Sequence, residues 1–223
     1  MKRRTLLTAT GAILAAGAGW LVLQPGPNGE ASNLLAGIAN AQDGTGDPDS
    51  IPDMVLGAED APIEVIEYAS YTCPHCASFH SDQFKQLKAN YIDTGKVRFI
   101  YREVYFDRFG LWASMIARCG GESRFFGITD LIYQKQRDWT ASGDPAVIVD
   151  ELRKIAKTAG LNEAALDACM SDGEMAESLV GWFQTNAERD GITSTPSFLI
   201  NGEKYSNMAY PDFAAILDEK LAG

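Results

Sequence analysis

The sequence carries few cationic groups for its size: 19 Lys and Arg stand against 30 Asp and Glu, for a net charge of -11. Three of those cations, Lys2, Arg3 and Arg4, sit at the extreme N-terminus, so the body is more acidic than the whole. With no basic block anywhere in that body, nucleic acid is excluded as a partner, because phosphate binding needs clustered Lys and Arg. Histidine is scarcer still, with only His75 and His80, and cysteine occurs four times. A second Cys-x-x-Cys half-site is missing, which weighs against a structural zinc site. Ala77, standing where a haem-ligating His would follow the cysteine pair, excludes c-type haem attachment. Neither a metal nor an organic cofactor is expected. Internal repeats are absent, and low complexity is confined to a Gly, Pro, Asn and Asp-rich stretch between Gln24 and Pro52.

What is present begins with Met1-Lys2-Arg3-Arg4 and an almost uncharged stretch from Leu6 to Leu23. This reads as an export signal or a membrane anchor over residues 1–23. Ala39-Asn40-Ala41 has the small-x-small form of a cleavage site, and Arg3-Arg4-Thr5-Leu6-Leu7 resembles a twin-arginine signal. Residues 24–52 read as a linker. The expectation is an exported, periplasmic protein, with the N-terminal segment either removed or kept as an inner-membrane anchor. In that compartment disulfides are chemically permitted.

The folded part opens with Ile63 to Tyr68, a β-branched run that suits a buried central strand. Pro74 then fits the first turn of a helix whose apolar residues Cys76, Phe79, Phe84, Leu87 and Tyr91 approximate one face, and Gly95 ends it. Val97 to Val104 makes a second strand, so this is a strand-helix-strand unit with a parallel pair. Residues 107–190 are helical in pattern throughout, with Asp144-Pro145 as a cap and N1 proline. Strand character returns at Ser197 to Ile200, Asn201-Gly202 marks a hairpin into Lys204-Tyr205, and Pro211 to Leu221 closes as a helix.

Cys73-Pro74-His75-Cys76 falls between a strand and a helix start, the context that separates a redox motif from other uses of paired cysteines. Unpaired N–H groups and the positive dipole end of that helix would stabilise a thiolate at Cys73. Cys73 is therefore expected to be the exposed, attacked sulfur, with Cys76 buried as its resolving partner. His75 can add a positive charge or a hydrogen bond. His80 reads as a helix-surface or half-buried histidine. The remaining readings are a zinc site using Cys73, Cys76, His75 and His80, or an inert structural disulfide.

The segment Glu67-Tyr68-Ala69-Ser70-Tyr71-Thr72-Cys73-Pro74-His75-Cys76 resembles the active-site strand and turn of the DsbA family of thiol-disulfide oxidoreductases. Gly191-Ile192-Thr193-Ser194-Thr195-Pro196-Ser197-Phe198 resembles its second characteristic stretch. The resemblance runs from about Asp53 to the C-terminus and implies an α/β thioredoxin fold: a central mixed sheet flanked by helices (53–106 and 191–223) with an inserted helical sub-domain (107–190). It implies that Pro196 is cis, that the Thr195 backbone pairs with a substrate chain, and that Glu67 is a buried acid beneath the disulfide. Tyr101, with Arg102 adjacent, stands where the best-known members place a Lys near that acid, so the family's charge relay lacks its lysine here.

Cys119 and Cys169 lie in the helical insert, and some bacterial members carry a second disulfide there. A structural bridge, a relay pair and two buried thiols are the readings open to them. The resemblance further implies a dithiol oxidase acting on reduced or unfolded exported proteins, reoxidised by a quinone-linked membrane partner and working as a monomer. The alternatives are a disulfide isomerase or reductase, and a non-catalytic metal- or client-binding module on the same fold.

Overall fold

The computed structural model describes residues 47–223. The signal or anchor, the cleavage motif and most of the linker expected from the sequence lie outside the described residues. Among the described residues no helix is long and apolar enough to cross a membrane.

Five strands form one mixed sheet in the order β1-β3-β2-β4-β5. They are β1 (Met54–Leu56), β2 (Ile63–Ala69), β3 (Val97–Glu103), β4 (Ser197–Ile200) and β5 (Glu203–Ser206). β2 and β3 pair in parallel, with Ile63 opposite Val97 and Glu67 opposite Tyr101. The other pairings are antiparallel. β2 is the central strand; it is buried along nearly its whole length, which is why apolar residues (Ile63, Val65, Ile66, Tyr68 and Ala69) fall on both of its faces, with Glu67 as its one fully buried acid. The β4–β5 turn uses Asn201 at φ 49° and Gly202 at φ 81°, the two left-handed positions that a two-residue hairpin turn of this hand requires. Asn201 also ties the hairpin to β2, accepting from the Glu64 N–H at 2.8 Å through its side chain.

β1 is an element the sequence reading missed, since it placed the first strand at Ile63. It is three residues long and sits at the sheet edge against β3. So short a strand leaves no period to read.

Between β2 and β3 runs one continuous helical stretch, α1, built of Pro74–Ser78, Phe79–Gln83, Phe84–Leu87 and Lys88–Ile92. The second and fourth pieces are π-helical turns. The five-residue step from Phe79 to Phe84 in the apolar pattern is the mark of the first, where the Phe84 N–H reaches the Phe79 carbonyl.

Between β3 and β4 lies the inserted helical sub-domain: α2 (Arg108–Cys119), α3 (Glu122–Gln134), α4 (Gln136–Thr140), α5 (Pro145–Thr158), α6 (Glu163–Met170) and α7 (Gly173–Arg189). Asp107 caps α2 by accepting from the N–H groups of Phe109 and Gly110 at 2.8 and 2.9 Å, and Asp144 caps α5 in the same way ahead of Pro145. α8 (Tyr210–Ala222) closes the chain. The insert is locked to the sheet by a buried ion pair: Glu103 at the end of β3 accepts from Arg118 Nε and Nη2 at 2.7 and 2.8 Å and from Ser114 Oγ at 2.8 Å. Because both charges are paired and hydrogen-bonded, burying them is tolerable; removing one partner would strand the other. The insert and the sheet share one apolar core that runs from Ile63, Val65 and Phe99 through Phe125, Ile128 and Leu152.

Candidate active site

Cys73 is the N-cap of α1, in extended conformation, and Pro74 occupies the first helical position, where no backbone donor is lost. Cys76 follows in the first turn and is fully buried. The two cysteines are unbonded, so this is the dithiol form. Cys73 is less open than its role in the sequence reading demanded, at 8% exposed. Part of what covers it is the loop before β4: the Cys73 thiol lies 3.4 Å from the Thr195 carbonyl, to which it donates. The Thr195–Pro196 peptide bond is cis, and Pro196 is buried.

The two sulfurs differ sharply in acidity. Cys73 is lowered to about 5, first by the hydrogen bond from the Cys76 thiol, then by Thr195, and then by the backbone N–H groups of Cys76 and His75 at the helix start, all acting against its burial. Cys76 is pushed far above the ordinary thiol range by burial first, then by its bond to Cys73 and by the charge of Glu67. His75 is exposed, and what reaches the sulfur from it is its backbone N–H.

Glu67 lies on β2 with no solvent exposure. Its carboxylate meets His80 Nε2 at 2.9 and 3.1 Å, and His80 is itself 2% exposed. This corrects the expectation of a surface or half-buried histidine. The π turn of Phe79–Gln83 adds a residue to that turn of α1, so Phe79 and His80 are both buried. The His80 ring stacks on Tyr133 of α3 with centroids 4.4 Å apart and meets Tyr101 edge-on at 5.7 Å. Tyr101 pairs with Tyr133 through their hydroxyls at 2.7 Å, and burial holds both phenols neutral by raising them well above their usual range. The partner of the buried acid therefore comes from α1 and not from β3. Arg102, the neighbouring cation, points elsewhere, bonding Asp53, Tyr68 and Asp190. A lone His in a helix gave no sequence signal for this pairing; the irregular apolar spacing was the available clue.

The turn before the motif is held from the insert. Gln136, which the sequence reading did not single out, donates from its side-chain amide to the carbonyls of Tyr71 and Cys73, both at 2.8 Å. The Tyr71 hydroxyl meets Thr129 Oγ1 at 2.8 Å, and Thr72 donates to the capping Asp107 at 2.8 Å.

Cys119 and Cys169 are joined by a disulfide that links α2 to α6, with Cα atoms 5.9 Å apart and a sequence separation of 50. Among the described residues no group of three or more His, Cys, Asp or Glu side chains is arranged to hold a metal ion.

Comparison with known proteins places this geometry among relatives. The chain matches the thioredoxin family over residues 49–219. It is 34% identical over 170 residues to a provisionally named protein-disulfide oxidoreductase of Rickettsia bellii, covering 76% of this chain and 64% of that one. The chain spans about three fifths of the length of the Rickettsia relatives it matches. Among solved structures it is similar to alpha-DsbA1 of Wolbachia pipientis, with a TM-score of 0.71 and 29% identity over 78% of this chain and 95% of that one. Oxidised BdbD of Bacillus subtilis gives 0.68 and 25%, over 77% and 94%.

Proposed function

The chain belongs to the thioredoxin family, as a DsbA-like oxidoreductase with a helical insert that bears a second cysteine pair, and from that premise we propose that it is a dithiol oxidase for reduced exported proteins. The observation that carries this reading is the placement of the 73–76 pair, with Cys73 as the N-cap of α1 against the Thr195 carbonyl and Cys76 fully buried one turn in. That placement lowers the first sulfur to about 5 and drives the second far up. Stabilising the thiolate stabilises the reduced pair, and a stabilised reduced form makes the disulfide form a strong electron acceptor.

In the reaction a substrate thiolate attacks Cys73 in the Cys73–Cys76 disulfide. The S–S bond breaks, a mixed disulfide forms, and Cys76 departs with the electron pair. A sulfur so averse to charge needs a proton, and the buried Glu67–His80 pair is suited to hold and deliver it. A second substrate cysteine then attacks the mixed disulfide, leaving the substrate oxidised and Cys73 as the thiolate. In this reading the extended substrate chain pairs with the Thr195 backbone, a role supported by its position beside Cys73 and ahead of the cis proline. Family resemblance implies reoxidation by a quinone-linked membrane protein, and the charged, then apolar N-terminal sequence supports export to the periplasm as a signal or a retained anchor.

The test is oxidation of a reduced two-cysteine peptide by the disulfide form. We expect fast, stoichiometric transfer that Cys73→Ala abolishes; equal rates in the variant end the proposal. An equilibrium with glutathione that leaves the 73–76 pair strongly reducing would instead favour an isomerase or reductase.

A further inference from the structure

Gln136 takes no part in the exchange chemistry, yet it grips the residue that does. It opens α4 in the insert, is 5% exposed, and spends both N–H groups of its side-chain amide on the carbonyls of Tyr71 and Cys73. One planar group bonded to two carbonyls two residues apart fixes how those peptide planes lie relative to each other. Its mount is braced as well. Trp139, buried in the same short helix, donates from its indole to the Ile132 carbonyl at 3.0 Å and so holds the corner between α3 and α4. The Cys73 carbonyl also accepts from the Ala77 N–H at 3.1 Å, so this oxygen joins the insert to the first turn of α1.

We propose that Gln136 is a positioning residue for Cys73, the contact through which the helical insert sets the acidity and oxidising power of the 73–76 pair. The N–H groups of His75 and Cys76 add to the stabilisation of the thiolate only while they face it, and that depends on the conformation of the N-cap residue. Gln136 fixes that conformation from the carbonyl side. Its amide hydrogens also offset the partial negative charge of the Cys73 carbonyl, which sits on the same residue as the thiolate. Removing the amide loosens the turn and withdraws that compensation, and both changes disfavour the thiolate. The inference rests on the reading of Cys73 as a stabilised thiolate.

The variant is Gln136→Met in the full chain, which keeps an unbranched side chain of similar volume and lacks only the amide. Thiolate absorbance against pH and the equilibrium with glutathione are read alongside the melting temperatures of both redox forms. The Cys73 pKa should rise by about half a unit to one unit, and the equilibrium should move roughly three- to tenfold toward the disulfide. Leu152→Ala, which opens a cavity in the insert core, controls for lost stability: it should lower the melting temperature and leave pKa and equilibrium in place. A Gln136→Met protein that titrates like the wild type, or a Leu152→Ala protein that shifts as far, overturns the proposal. Should Gln136→Met not fold, Gln136→Asn, with the amide one methylene short, is expected to shift the same way by less, and an unshifted Asn variant overturns the proposal equally. Wild-type protein with an ordinary thiol pKa would sink the reading beneath it, a result distinct from an acidic wild type matched by its variant.

Discussion

The two cysteine pairs of this chain stand at opposite ends of their helices. Cys73 caps the start of α1 and Cys76 lies in its first turn, whereas Cys119 is the last residue of α2 and Cys169 lies in the last turn of α6. Helix starts offer unpaired N–H groups and a positive dipole end; helix ends offer unpaired carbonyls and a negative one. A thiolate is therefore stabilised at the first pair and opposed at the second. The loops differ as much, since the first two cysteines are three positions apart and the second two are 50 apart. On the proposed function, the same chemical group serves as a reactive centre in one place and as a staple in the other, and the backbone around it decides which.

The largest effect that would sharpen this contrast is on stability. Replacing Cys119 and Cys169 together by Ala releases a 50-residue loop, which the chain-entropy relation values at about 4 kcal/mol. For a domain of this size that lowers the melting temperature by roughly 10 °C. Peptide oxidation at 25 °C should stay within about twofold of wild type, because neither cysteine touches the reacting atoms. A large loss of rate in a variant that remains folded would merge the two roles that the helix ends keep apart.

Next in size is the proton supply to Cys76. Glu67→Gln keeps the contact with His80 but cannot take up and release a proton, so reduction of the enzyme disulfide by a peptide should slow about tenfold. Stopped-flow tryptophan fluorescence can follow that step. An unchanged rate would mean that Cys76 draws its proton from water.

The acidity of Cys73 predicts a pH signature that the second pair does not share. A folded-state pKa of about 5, below that of the unfolded thiol, stabilises the reduced protein fully above the unfolded value. That stability is lost as pH falls and is gone below about 5. The melting temperature of the reduced form relative to the disulfide form should therefore decline from about pH 9 to pH 5 and then level off. Reducing the Cys119–Cys169 bond in a Cys73→Ala, Cys76→Ala background should give no such acid-side decline. A flat difference for the 73–76 pair across that range would break the comparison.

Much of the frame that sets up this contrast could be read from the chain. The β-branched run of β2, the Asn201-Gly202 turn and the Asp144-Pro145 cap are local signals, each dictated by residues adjacent in sequence. The cysteine motif was legible for the same reason, since its meaning comes from a strand before it and a helix after it. What stayed hidden depends on distance. Gln136 meets Cys73 across 63 residues and His80 meets Glu67 across 13, and neither residue type carries a spacing rule that announces such a contact. The degree to which Cys73 is covered was missed likewise, because the covering carbonyl of Thr195 lies 122 residues away. β1 was hidden for the opposite reason: three residues at a sheet edge are too few to show alternation.

The smallest expected effect concerns His75, and it separates side chain from backbone within the motif. The His75 side chain is exposed, and its contribution to the Cys73 thiolate comes through its N–H, a group that any residue but proline supplies. Water screens an exposed imidazole, so its charge can add only a minor part of the stabilisation. His75→Ser should raise the Cys73 pKa by less than about one unit, read from thiolate absorbance. His75→Pro removes the N–H itself and should raise it further. If the serine variant instead lost the whole depression, the imidazole and not the helix start would be the source of the acidity. The contrast between helix start and helix end would then no longer explain why one cysteine pair reacts and the other holds.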